Sequence, residues 1–301
     1  MSSPRVEIVI PTFNNRLELV RCLESLAQGP RDIRALVCVD GSTDGTQAGL
    51  ASTTYPFELV VLEHPDLANH GRAATRNLAL PQLRAPLVLL LDSDMELAAG
   101  AVERHVELIG RRRCVSVGGV RYSNARENLW PRYLMTRGMN KSEAETEIRP
   151  LDFVTANSAL RTEDLVAVGG FDESLAGYGG EDTELALKLH ERGLPFVFNA
   201  SAFATSVERK TFAEGLDELW RYGAGNLRTT RARHPNLPAP YTVDRLESRK
   251  PRDRAFVALL NPLTDLVVDM ALRIPWFPLQ RRLLNYKVLR AVWSGYRDGA
   301  V

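Results

Sequence analysis

Asp92-Ser93-Asp94 follows the apolar run Leu87–Leu91, so two carboxylates sit where a strand ends and the chain turns out of a sheet. Hard oxygen ligands at such a place suit Mg²⁺ or Mn²⁺, which typically joins one or two carboxylates to phosphate oxygens. Asp40 ends another apolar run and is followed by Gly41, whose missing side chain permits close backbone approach. A carboxylate there can accept hydrogen bonds from a nucleobase or ribose, and the same segment, Ser42 to Asp44, can instead cap the next helix. Asn69-His70-Gly71-Arg72, with Arg76 and Asn77, opens a helix. A glycine followed by a cation at a helix N-terminus can clamp a diphosphate, the plainer alternative being a solvated basic face. Glu181-Asp182 follows Gly179-Gly180 at another helix start, where the helix dipole favours an ionised carboxylate able to act as a base. Acids in a first helical turn also occur for structural reasons alone.

The elements that must position these residues are readable from hydrophobic period. Val6–Ile10 reads as a strand closed by Pro11, and Leu17, Val20, Leu23 and Leu26 then recur at helical spacing. Ile33–Val39, Phe57–Leu62 and Leu87–Leu91 are further continuous apolar runs, alternating with helical segments such as Ala73–Leu80 and Ala98–Ile109. Continuous rather than alternating apolar strands predict an α/β fold with a mostly parallel central sheet and helices on both faces. In such sheets ligands bind outside the carboxyl ends of the strands, where Pro11-Thr12, Asp40-Gly41 and Asp92-Ser93-Asp94 all fall. Residues 121–150 are polar with scattered aromatics and read as a long loop region; order returns at Phe153–Leu160, after Gly180 and at Pro195–Phe198. After about Arg228 the composition turns Arg- and Pro-rich, and two apolar helical segments follow near Ala255–Leu272 and Leu279–Trp293. The expected division is therefore a catalytic domain over 1–228, with halves of about 1–115 and 116–228, and a basic, amphipathic helical extension over 229–301.

Composition narrows the function classes. The 301 residues are 45% hydrophobic and 25% charged, with a formal charge of +1, so no global field concentrates a nucleic acid, and none is expected as partner. Cys22, Cys38 and Cys114 form no C-x-x-C pair, which fits a reducing compartment better than a disulfide framework. The N-terminal residues lack the pattern of a signal peptide, and the most apolar segment is broken by Asn261, Pro262, Asp265 and Asp269. A cytoplasmic protein is expected, the basic C-terminal helices either making peripheral contact with the inner membrane face or packing on the catalytic domain or on a second subunit of a homo-oligomer. In the membrane reading Trp276, Phe277, Leu279, Leu283 and Leu284 would lie among cations at an anionic bilayer surface.

In this order the motifs resemble the inverting nucleotide-sugar transferases of glycosyltransferase family 2, which have the GT-A fold. Pro11-Thr12-Phe13-Asn14-Asn15 is similar to the family's opening segment, and Val39 to Thr46 resembles its D-D-G-S-T-D-G-T loop. Asn69 to Asn77 is similar to its N-x-G-x-x-x-A-R-N helix start, Asp92-Ser93-Asp94 to its D-x-D, Gly169 to Glu173 to its G-G-F-D-E and Gly179 to Asp182 to its G-G-E-D. The resemblance implies transfer of a sugar from a nucleoside diphosphate, most often UDP, to an acceptor hydroxyl. It implies that Pro11 and Thr12 line the nucleotide pocket, Asp40 contacts the base or ribose, Arg72 approaches the diphosphate, and Asp92 and Ser93 meet the ribose or sugar. Asp94 would bind Mn²⁺ or Mg²⁺ and Asp182 would be the base, with Glu181, Gly180 and Asn157 beside it on the acceptor side. The acceptor is expected to be a sugar, a lipid-linked molecule or another small molecule.

Two positions depart from the family pattern. One acid, Asp40, precedes Gly41 where the family usually has two acidic or polar residues. Many members also place a metal-binding His after the strand that follows G-G-E-D, yet Phe196 to Lys210 contains none, and Thr205 or Ser206 stands about there. A nucleotidyltransferase, or a nucleotide-sugar-binding protein without activity, are the competing expectations.

Overall fold

A computed structural model describes residues 4–137, 145–175, 177–207, 210–234 and 240–299. The chain divides into two compact units, Met1–Ala176 with Glu181–Arg209, and Gly177–Gly180 with Lys210–Val301. The first unit runs β1 (Val6–Thr12), α1 (Arg16–Ala27), β2 (Ile33–Val39), α2 (Thr46–Ser52), β3 (Glu58–Glu63), α3 (Arg72–Asn77), β4 (Leu87–Leu91) and β5 (Met95–Leu97). It continues through α4 (Ala101–Arg111), β6 (Val115–Tyr122), α5 (Leu129–Leu134), β7 (Glu147–Ile148), β8 (Asn157–Arg161), α6 (Thr162–Ala167), α7 (Glu181–Glu191) and β9 (Phe196–Ser206).

Among the described residues nine strands form one sheet in the order β3-β2-β1-β4-β8-β6-β9-β5, with β7 on β9. The first four are parallel, as the apolar runs predict, and β8 is antiparallel to both β4 and β6. Successive residues of a strand point to opposite faces. Ile8 and Ile10 accordingly join a core with Leu19, Cys22, Leu23 and Leu26 of α1, while Val9 joins a second core with Ala73 of α3 and Leu185 and Leu189 of α7. Both faces are covered, which is why β1, β2 and β4 are apolar at successive positions, Glu7, Thr12 and Arg34 excepted. The inward face of α1 is Leu19–Cys22–Leu23–Leu26; Leu17, expected on it, is 75% exposed. The loop expected over 121–150 contains α5 and β7, with Trp130 and Tyr133 buried and stacked, and its residues 138–144 lie outside the described residues. The three cysteines are buried free thiols.

The second unit is helical: α8 (Phe212–Ala224), α9 (Asn226–Arg233), α10 (Asp244–Glu247), α11 (Pro251–Ala258), α12 (Pro262–Ala271) and α13 (Phe277–Asp298). Its core joins Tyr222, Leu227, Val243, Leu260, Val292, Trp293 and Tyr296. Helices α8 and α13 approach closely because Gly223 and Gly295 lie at the contact; a Cβ on Gly223 would stand 2.1 Å from the Val292 carbonyl oxygen, and one on Gly295 2.0 Å from that of Trp220. That contact draws α8 into this unit, so the unit begins at Lys210, ahead of the composition change near Arg228. The helix expected over Ala255–Leu272 is two helices. Asn261 caps α12, its side-chain oxygen accepting from the Leu263 and Thr264 amides, and Pro262 occupies the first turn, where its missing N–H costs nothing. No helix among the described residues is long and apolar enough to cross a membrane.

The amino ends of the parallel strands are tied by charge. Glu7 is fully buried and accepts from Arg34 Nη1 at 2.6 Å and from the backbone amides of Arg84 and Ala85 at 2.7 and 2.9 Å. Arg34, its register partner on β2, reaches Glu58 on β3 at 2.9 Å. Removing one side of a buried, hydrogen-bonded pair leaves the other charge without its partner. Glu7→Ala should therefore lower unfolding free energy by about 3–5 kcal/mol in urea denaturation, and a loss under about 1 kcal/mol would show that this tie is dispensable.

Candidate active site at the strand ends

The site lies at the opposite, carboxyl ends of β1, β2 and β4, where the order of the parallel strands reverses around β1. The loops leaving these strands are laced together. Asn14 accepts from the Thr43 amide at 2.7 Å and its own amide donates to Ser42 Oγ at 3.0 Å, while Asn15 donates to Ser93 Oγ at 3.0 Å. Asp44, just ahead of α2, accepts from the Thr46 amide and hydroxyl at 3.2 and 2.5 Å. Pro11 and Thr12 close β1 against Cys38 and Val39, and the Thr12 hydroxyl is buried with no hydrogen-bond partner among the described residues.

Asp40 is tied into the loop that precedes α3. Its two carboxylate oxygens accept from the His70 amide at 2.7 Å and the Gly71 amide at 3.1 Å, with His64 Nε2 at 3.7 Å, and the residue is 4% exposed. The carboxylate thereby holds the loop that leads into α3. Gly41 makes this possible: at φ +70° it adopts a backbone that L side chains rarely take, and a Cβ there would sit 2.7 Å from the Ala68 carbonyl carbon. Arg72 is exposed at the first position of α3.

The cation that the structure brings into the centre is Arg76, one helical turn further on. It is 4% exposed, its Nη2 donates to Asp92 at 2.7 Å, its Nη1 stands 3.6 Å from Glu181, and its guanidinium lies 5.3 Å from the Phe171 ring centroid. Burial opposes its charge, but Asp92, Asp182 and Glu181 outweigh that and hold it firmly protonated. Arg76 Nη1 and Glu181 Oε2 are both buried without a hydrogen-bond partner among the described residues. Asn77 binds the next motif: it accepts from the Phe171 amide at 2.9 Å and donates to the Phe171 carbonyl at 2.9 Å and to Glu173 at 2.8 Å.

Asp182 is held by Thr155, whose hydroxyl and amide donate to its two oxygens at 2.7 and 3.2 Å. Next to Thr155, the Ala156 carbonyl accepts from the Asp92 amide at 3.2 Å, so the β4 and α7 carboxylates share one stretch of backbone. Burial pushes the Asp182 carboxyl up to about 6, and neighbouring Glu181 adds to the rise; Arg76 pulls it down, Asp92 lifts it and the Thr155 hydroxyl lowers it. A carboxylate with this poise is ionised at neutral pH yet basic enough to take a proton there. Gly180, at φ +94°, packs on Tyr222, Asn226 and Thr230 of its own unit.

Asp94 is separate from that cluster. Its Oδ2 accepts from Ser206 Oγ at 2.7 Å and its carbonyl from the Val207 amide at 2.9 Å, so Ser206, not Thr205, is the end-of-β9 residue against the second acid of D-x-D. The donor set is a carboxylate and a hydroxyl, both hard oxygens. Among the described residues no three His, Cys, Asp or Glu side chains gather to hold a metal. Oxygen donors of this kind suit a hard divalent cation.

Asn157 belongs elsewhere. It is fully buried, its oxygen set against His105 Nε2 at 3.1 Å and its amide nitrogen donating to the Ala202 and Gly119 carbonyls at 2.8 and 3.3 Å. His105, pushed down to about 4 by burial, also meets Ser116 Oγ at 2.8 Å. Asn157 is thus a satisfied member of a polar network under α4, with no group left for an acceptor.

Replacing Arg76 tests the electrostatics. Arg76→Gln removes the cation that favours the ionised form, so the Asp182 carboxyl should titrate above its starting value of about 6 in carboxyl ¹³C NMR. An unchanged or lower midpoint would show that Arg76 does not act on Asp182.

The chain's likeness to known proteins agrees with this geometry. The model of "Glycosyl transferase family 2" matches residues 7–169, more than half of the chain, and that of "N-terminal domain of galactosyltransferase" matches residues 137–209. The chain is 23% identical over 267 residues to an uncharacterized glycosyltransferase, YfnE, of Bacillus subtilis, covering 71% of this chain and 68% of that one. It is 27% identical over 231 residues to a validoxylamine A glucosyltransferase of Streptomyces hygroscopicus, covering 66% of this chain and about half, 51%, of the longer relative. Among solved structures, a mannosyltransferase from Pyrobaculum calidifontis in complex with GDP-Man and Mn²⁺ is similar at a TM-score of 0.64 and 19% identity, covering 98% of this chain and 88% of that one. TarS of S. aureus in complex with UDP-GlcNAc is similar at 0.59 and 19%, covering 98% and 92%. The fold is that of the GT-A glycosyltransferases, and the chain belongs to glycosyltransferase family 2.

Proposed function

We propose that this glycosyltransferase moves a sugar from a nucleoside diphosphate sugar, with UDP the favoured nucleotide, to an acceptor hydroxyl by a single displacement that inverts the anomeric centre. The observation that carries the reading is Asp182, a carboxyl raised to about 6 and fixed by Thr155 within the Arg76 cluster. In the proposed step the acceptor oxygen attacks the anomeric carbon as the bond from that carbon to the diphosphate oxygen breaks. The acceptor proton passes to Asp182, and the electron pair of the broken bond leaves with the nucleoside diphosphate. One carboxylate suffices, because no glycosyl-enzyme intermediate has to form.

Asp94 and Ser206 would hold the Mn²⁺ or Mg²⁺. Such an ion, when bound, supplies positive charge to a leaving diphosphate. Asp92, kept in place by Arg76, faces the ribose or sugar in this reading; Pro11, Thr12 and Ser93 shape the nucleotide side, and exposed Arg72 is in reach of solvent-borne phosphate. Two relatives of the fold carry GDP-Man and UDP-GlcNAc, which supports a nucleotide-sugar donor.

Asp182→Asn should abolish transfer, by at least about a hundredfold, while UDP binding by calorimetry stays within about twofold. The sign of the accompanying stability change follows from the raised carboxyl. A folded value near 6 against 3.8 means that the stabilisation gained by protonation is complete below 3.8 and lost as pH rises through 6. At pH above 6 the Asn variant should melt no lower than the parent, so a variant that is inactive because unfolded is recognised at once. Transfer equal to the parent's would remove Asp182 as the base. For the metal, Asp94→Ala should weaken Mn²⁺-dependent UDP binding about tenfold or more, and an unchanged Mn²⁺ titration would exclude Asp94 from that part.

A further inference from the structure

The helical unit presents an apolar surface on α12 that none of its described residues covers. Leu263, Leu266, Val267, Met270, Ile274 and Trp276 are each half to three quarters exposed. On α12 the spacing 263, 266, 267 and 270 is a single stripe, and Ile274 and Trp276 follow in the turn after the helix, so the exposure is not a scatter of single residues. Asp265 and Val268 lie on the opposite side. Asp265 pairs with Lys287 at 2.9 Å and with Arg290 at 3.2 Å, and Asp269 pairs with Lys287 at 2.7 Å. The acids of α12 are thereby turned to α13 and neutralised, leaving the outer strip without an unpaired carboxylate.

The turn after α12 and the first turns of α13 are basic. Arg273, Arg281 and Arg282 are exposed and make no ion pair among the described residues, and no acid occurs in the sequence from Arg273 to Arg297. Helix α13 does not itself supply the apolar surface: Leu284 is fully buried, and Leu279 and Leu283 are partly buried. Of the residues expected at such a face, Trp276, Phe277, Leu279, Leu283 and Leu284, Trp276 is the exposed one.

We infer that this α12 strip docks on an anionic lipid bilayer, its Leu, Val, Met and Ile side chains entering the acyl boundary while Arg273, Arg281 and Arg282 meet lipid phosphates. Charge complementarity selects this occupant. An anionic bilayer offers an apolar layer beneath a negative one, matching a strip of aliphatic groups beside three cations, with Trp276 at the depth where indole rings partition. A symmetric pair of copies through the same strip would offer Arg273, Arg281 and Arg282 no unpaired carboxylate, since Asp265 and Asp269 are already paired with α13. The inference concerns the helical unit and is independent of the catalytic assignment.

The test uses the full chain and vesicles of phosphatidylcholine alone or mixed in equal parts with phosphatidylglycerol. Binding by co-sedimentation should require phosphatidylglycerol, fall at least about tenfold between roughly 0.05 M and 0.5 M salt, and shift tryptophan emission to the blue, a shift lost in Trp276→Ala. Leu263→Asp with Val267→Asp should weaken binding about tenfold or more, as should Arg281→Glu with Arg282→Glu, each at an unchanged melting temperature because all four side chains are exposed. The inference is overturned if the parent does not sediment at low salt, or if binding is indifferent to both double variants. It is also overturned if equilibrium sedimentation finds a dimer that Leu263→Asp with Val267→Asp dissociates, since the strip is then a contact between copies.

Discussion

A single buried guanidinium joins parts of the chain that are far apart in sequence. Arg76 lies between Asp92, at the end of β4, and Glu181, at the start of α7, and it acts on Asp182 as well. Burying one cation is costly unless carboxylates repay its lost hydration, and here three of them surround it. The reverse also holds: without the cation, three acids would repel one another in a poorly solvated place. The arrangement fixes where the carboxylates stand and keeps Asp182 ionisable near neutrality even though burial and Glu181 push it upward. In the proposed mechanism this leaves the base less comfortable than it would be in water, a common exchange of stability for function.

The parallel sheet makes that meeting possible. Strands buried on both faces have little freedom of register, because a one-residue slip would carry side chains from one core into the other. With β1, β2 and β4 fixed, their carboxyl ends deliver Thr12, Asp40 and Asp92 to one edge. Hydrogen bonds between the loops do the rest, and several residues that look like ligand contacts are the ones making them. Asp40 spends its carboxylate on the His70 and Gly71 amides, and so sets the entry to the helix that carries Arg76.

Much of this was legible in residue types and order. The apolar runs identify β1, β2 and β4, and the acids that follow them fall at the strand ends as expected. Arg76 was visible only as part of a basic helix start, since nothing local distinguishes it from Arg72; burial depends on β4 and α7, which are distant in sequence. Asn157 misleads for the same reason, its partners His105, Gly119 and Ala202 coming from three other segments. Leu17 illustrates a phase ambiguity, because α1 has apolar residues in two overlapping helical registers and packing selects the one through Leu19. The break at Asn261-Pro262 carries a cap signal that a hydrophobicity reading alone passes over, and the earlier start of the helical unit depends on a glycine contact between α8 and α13 that no local pattern announces.

The pH dependence of turnover is the most direct test of the central claim that Asp182 must be ionised to take the acceptor proton. Measured as UDP release from the best-bound UDP-sugar, kcat/KM should be level above neutrality and fall about tenfold per pH unit below an apparent value near 6. A profile that stays flat down to pH 5 in a folded enzyme would contradict the account, because a carboxyl titrating near 6 would then have no part in the rate.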